Sequence, residues 1–169
     1  MRNEEFRCSV MCDTNVLIYY MLCTPPFFLR VFDLFNLCAQ QNIRMVCTAL
    51  SLKDVFYITP GRFRDRYMED ESELVKSFAS NMLPRVARTS VSQLRKMMAV
   101  LPVGDDECAA AEGLYGRHPD FEDNLLVAAA QRAGVRYMAT YDKQLIRHFP
   151  ELCMRPEDIA ARLGDPTPA

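Results

Sequence analysis

The sequence predicts an α/β domain built on a largely parallel sheet, and three observations carry that prediction. Strand-length runs of β-forming residues alternate with segments of helical apolar spacing along the 169 residues. The first such run is followed at once by Asp13, and the run at 135–140 by Asp142. Between Asp120 and Leu145 the chain reads as a helix, a glycine stop, a buried strand and the start of another helix. Parallel sheets bind ligands in the crevice outside the carboxyl ends of their strands, so acids at those ends are placed for chemistry.

The elements follow in order. Residues 7–12 form a short strand, and a helix from Val16 to Leu22 is capped by Thr14 or Asn15 and stopped by Pro25-Pro26. Phe28, Val31, Phe32, Phe35 and Cys38 give residues 26–41 an apolar helical stripe. Ile43 to Cys47 is the second strand. Ser51-Leu52-Lys53-Asp54 resembles a capping box and opens a helix to Ile58, which Pro60-Gly61 ends. A helix over 70–83, a third strand near 86–91 and helices over 92–101 and 105–115 come next. Asp120 caps a helix with Phe121, Leu125, Ala128 and Ala129 on one side, and Gly134 ends it. Leu152 to Arg155 is a short edge strand, and Pro156 opens a last helix. Residues 1–163 make one domain, and 164–169 a frayed tail.

Composition narrows the function classes. A net charge of -2 gives no global basic field, so contact with nucleic acid needs a local patch or metal ions that reverse the sign of an acidic site. Seven cysteines stand mostly in apolar runs without a CxxC pair, and the two histidines are far apart, which argues against zinc. Neither a signal-peptide core nor a membrane-length apolar run is present, so a reducing cytoplasmic setting without membrane attachment is expected. The cysteines then serve as small core hydrophobes.

Asp13, Asp54, Asp123 and Asp142 stand out, with Asp120 a fifth acid three residues ahead of Asp123 on the same helix face. Each is explained singly as a helix cap or first-turn acid. Together at strand ends and on an adjoining helix, they predict a shared pocket. Carboxylates that converge repel one another, and a hard divalent cation such as Mg²⁺ or Mn²⁺ removes that penalty. Arg62, Arg64 and Arg66, interleaved with Phe63 and Tyr67, form the densest basic cluster and are candidates for contacting RNA. A solvated loop face is the competing explanation, given Asp65 and the acids at 69–71.

Asp13-Thr14-Asn15 after an apolar strand, with DFEDNLLVAAAQRAGVRYMATYD later, resembles a PIN domain, most closely the VapC-like toxins of toxin–antitoxin systems. The resemblance covers nearly the whole chain. It implies a three-layer α/β/α sandwich and a metal-dependent endoribonuclease that leaves 5′-phosphate and 3′-hydroxyl ends. Asp13, Asp123 and Asp142 would be ligands for one or two Mg²⁺ or Mn²⁺ ions, with Asp54 where the family usually carries Glu. Asp120 stays an alternative to Asp123 for the helix contribution. Thr14, Asn15 and Thr140 would support the site, and a homodimer and an inhibitory antitoxin would be the partners. A PIN-fold interaction protein without catalysis is the alternative. A phosphatase-like hydrolase is disfavoured because Asp13-Thr14-Asn15 lacks the second acid of a DxD pattern.

Overall fold

A computed structural model describes residues 9–68 and 71–164. Its elements run β1 (Ser9–Cys12), α1 (Thr14–Met21), α2 (Phe27–Gln40), β2 (Arg44–Thr48), α3 (Ala49–Tyr67), α4 (Glu73–Met97) and β3 (Ala99–Leu101). They continue α5 (Asp105–Gly113), α6 (Phe121–Ala133), β4 (Tyr137–Ala139), α7 (Lys143–His148), β5 (Cys153–Met154) and α8 (Pro156–Gly164). All strand pairs are parallel, in the order β3-β2-β1-β4-β5. The chain therefore steps one way from β1 to β2 and the other way to β4. The crevice at that reversal opens above the carboxyl ends of β1 and β4, next to Asp13 and Asp142.

Strand alternation sends side chains to two cores, which makes the sandwich three-layered. Val10, Cys12, Cys47 and Ala139 face one side, with Leu17, Leu34, Val55, Leu94 and Ile159 from the helices. Met11, Val46 and Met138 face the other, against Leu126, Val127, Leu145 and Phe149. Cys12, Cys38, Cys47 and Cys153 are buried free thiols, as expected of core hydrophobes. Burial pushes the Cys47 thiol up to about 12, so it stays protonated. No described helix is long and apolar enough to cross a membrane.

The expected third strand at 86–91 is helical, and the real one is Ala99–Leu101, inside a segment expected to be helix. Ala87, Ser90 and Leu94 are buried at a spacing of three and four, so period 3.6 governs this stretch. Pro60 does not end a helix but lies within α3, and Pro84 lies within α4. Each proline removes one backbone hydrogen bond, and the side-by-side packing of α3 and α4 outweighs that loss. Thr48, not Ser51, caps α3 by accepting from the Ser51 N–H, so Asp54 sits in the second turn. Asp13 itself, rather than Thr14 or Asn15, caps α1. The expected tail lies outside the described residues except for Gly164, the last residue of α8.

Candidate active site

The chain leaves β1 at Asp13 and enters α1 immediately, which buries this carboxyl at the sheet edge with 6% exposure. Its Oδ1 accepts the Thr14 N–H at 2.6 Å, and its Oδ2 accepts the Thr140 hydroxyl at 2.6 Å and the Asn15 amide. Thr140 Oγ1 in turn accepts from the Asp142 N–H at 3.0 Å and from Asn15 Nδ2 at 3.1 Å. The Asn15 side-chain Oδ1 accepts from the Tyr141 N–H. The Thr140 hydroxyl thus gives its one proton to Asp13 and uses both acceptor positions, which fixes its rotor. Thr14, Asn15 and Thr140 hold Asp13 and the β4–α7 turn in one register.

Asp123 lies in the first turn of α6, where Asp120 caps the helix by accepting the Asp123 N–H. Asp123 lines the acidic cavity and Asp120 does not. His118 Nε2 stands 2.9 Å from Asp123 Oδ2, and His118 Nδ1 stands 2.8 Å from His148 Nδ1. His118 is buried, and the Asn124 amide holds its carbonyl. With Asp123 ionised, His118 donates from Nε2 and accepts at Nδ1, so the His148 ring donates from Nδ1. Asp142 caps α7 through Oδ1, which accepts from the Gln144 and Leu145 N–H groups.

Asp54 reaches the cavity from α3 together with Ile58 and Arg62, which share its helix face at intervals of four. The cavity of 340 Å³ collects Asp13, Asp54, Glu122, Asp123 and Asp142, with Arg62 at its wall. Arg64 and Arg66 do not line it; Arg64 stands instead beside Asp65, Met68 and Lys76. The expected basic loop is the last turns of α3, which turn Arg64 away from Arg62 and set Arg66 one turn beyond it.

Burial, together with the Asp123 and Asp142 charges, raises the Asp13 carboxyl to about 6 against the hydrogen bonds from Thr140 and Thr14. Asp123 is raised by burial, with Asp120 and Asp142 adding to the shift and His118 opposing it. Glu122 is raised chiefly by a hydrogen bond with Asp54, with burial and the Asp54 charge adding to the shift. Lys53 pairs with Asp54 at 2.8 Å. Sequence reasoning missed Glu122 and His118. Glu122 reads as an ordinary first-turn acid, and in the sequence His118 bears only on zinc binding.

The PIN domain family profile matches residues 9–144. The chain belongs to the PIN domain family. The crystal structure of PAE2754 from Pyrobaculum aerophilum is similar in fold, with a TM-score of 0.57 and 12% identity over 95% of each chain. A search of curated proteins finds no match. PIN domains are usually nucleases and generally use divalent metal ions. Among the described residues no three His, Cys, Asp or Glu groups are already gathered tightly enough to grip an ion. The donor chemistry nevertheless fits a hard cation, because the cavity offers carboxylate oxygens that burial, and to a lesser degree neighbouring negative charge, disfavours as bare anions at Asp13 and Asp123.

Proposed function

We propose that this PIN domain is a Mg²⁺- or Mn²⁺-dependent endoribonuclease and the toxin of a toxin–antitoxin pair. The observation that carries the reading is the convergence of Asp13, Asp54, Asp123 and Asp142 on one cavity, with Asp13 raised to about 6. Asp13, Asp123 and Asp142 would hold one or two ions, and Asp54 would complete the set once released from Lys53 and Glu122. When bound, such an ion lowers the pKa of a water and offsets charge on the phosphoryl oxygens.

The chain's own groups do the rest. Thr140 and Asn15 orient the Asp13 oxygens, and His118 aims Asp123. Arg62 sets a positive charge beside the acids, where a substrate phosphate would enter. The homodimer and the antitoxin are part of this reading. Leu74 and Phe78 on α4, 82% and 70% exposed, suit such contacts, as does Leu29 on α2, whose Val31, Leu34, Phe35 and Cys38 are in the core. A cytoplasmic setting goes with this role.

The second reading, a PIN-fold interaction protein without catalysis, is favoured by the Lys53 ion pair that occupies Asp54. RNA hydrolysis with EDTA and with added Mn²⁺ decides between them. Wild type should cleave only with metal, and Asp142→Asn should lose at least about 100-fold. Equal cleavage by the variant, or none by wild type at millimolar Mn²⁺, removes the ribonuclease reading.

A further inference from the structure

We infer that the groove between α3 and the C-terminal half of α4 holds a single-stranded RNA that continues from the acidic cavity. This inference rests on the ribonuclease reading above. The groove encloses 490 Å³ and is lined by Phe56 from α3 and by Arg88, Val91, Ser92, Arg95 and Lys96 from α4, with no acid among them. Arg88, Arg95 and Lys96 are exposed and have no ion-pair partner among the described residues. At intervals of seven and eight they fall on one helix face, where like charges repel. Arg95 and Lys96 stand in the last turn of α4, and the helix dipole accounts for a cation there. It does not account for Arg88, nor for the aromatic wall opposite.

The geometry of α3 joins this groove to the cavity. At about 100° per residue, Asp54, Ile58 and Arg62 mark one face of the helix, and Phe56 points away from it. The exposed arc between them carries Lys53 and Tyr57. Tyr57 is 73% exposed and meets Phe56 edge to face, with centroids 5.2 Å apart. A strand leaving the acids therefore crosses a cation and two aromatic faces before it reaches three unpaired cations. Bases stack on aromatic rings whatever their identity, and phosphates follow the basic side chains. An acidic protein segment would be drawn by the same cations but has less use for the exposed aromatic pair.

The test measures RNA binding in an Asp142→Asn background, which prevents turnover, with single-stranded oligonucleotides of about 4 and about 15 nucleotides. Adding Arg88→Ala, Arg95→Ala and Lys96→Ala should weaken the longer strand about tenfold or more, with a larger penalty than on the short one. The slope of log Kd against log salt should fall by about 2, at roughly 0.7 per lost single-strand phosphate contact. Phe56→Ala with Tyr57→Ala should weaken the long strand about fivefold and leave that slope in place, since stacking releases few counterions. Unchanged affinity and slope in the triple variant, with wild type still cleaving RNA, overturn the groove and leave the nuclease reading standing. No RNA binding or cleavage by wild type overturns both.

Discussion

At the scale of single residues, the site is organised by one hydroxyl. Thr140 donates to Asp13 while accepting from the Asp142 backbone and the Asn15 amide. Thr140→Val keeps the shape and removes all three bonds, leaving buried polar groups unsatisfied at a cost of about 1–3 kcal/mol. Asp13 supplies a second readout. Its folded pKa, about 6, lies above the ordinary 3.8, so between those values the folded chain binds more protons than the unfolded one. Metal-free stability should therefore fall as pH rises from 4 to 6, by about 2 kcal/mol from this group. Since the Thr140 hydrogen bond lowers the Asp13 pKa, Thr140→Val should extend that decline to higher pH. Urea denaturation across pH 4–8 measures both effects; a variant with wild-type stability and the same pH profile would remove Thr140 from the network.

At the scale of elements, α6 and its exit turn were readable because each local signal agrees with the packing. Gly134 adopts φ 71 and ψ 30 after α6, a conformation an L side chain resists. Gly134→Ala should cost about 1–2 kcal/mol and leave metal-induced stabilisation unaltered, because the turn lies at the amino edge of the sheet, away from the acids. A urea midpoint unmoved by the change would show the strain to be relieved elsewhere. Both ends of α4 were readable as helix but its middle was not, because Val86 and Val91 bracket a strand-length run and Pro84 suggests a break. Its helicity comes from Ala87, Ser90 and Leu94, which face a core that local sequence does not contain. Pro60 misled in the same way within α3. In the site, Asp13 and Asp142 could be read because a strand end and a cap announce them. Glu122 depends on a contact with Asp54, far away in the chain, and His118 reaches Asp123 across a five-residue turn that no helix or strand period marks.

At the scale of the whole molecule, the fold gathers negative charge that folding alone does not neutralise. The switch point between β1 and β4 brings Asp13 and Asp142 together, α6 adds Glu122 and Asp123, and α3 adds Asp54. A cation that binds only the folded state raises stability by mass action, about 2.7 kcal/mol at 100 times its Kd. For a domain of this size that corresponds to a Tm increase of roughly 5–11 °C. Wild type should show such a rise with Mn²⁺ or Mg²⁺, and Asp142→Asn should show much less of it. Glu122→Gln separates two uses of the cavity. If Glu122 only hydrogen-bonds Asp54, the variant keeps the metal response; if it binds the ion beside Asp54, the response drops as in Asp142→Asn. Protons compete with the cation for Asp13, so the wild-type increment should shrink as pH falls below about 6. Thermal unfolding at pH 5 and pH 7.5, with EDTA and with millimolar Mn²⁺, reads these effects together. A wild-type Tm indifferent to metal at pH 7.5 would leave Asp13 and Asp142 as helix caps and make a protein partner the first thing to seek.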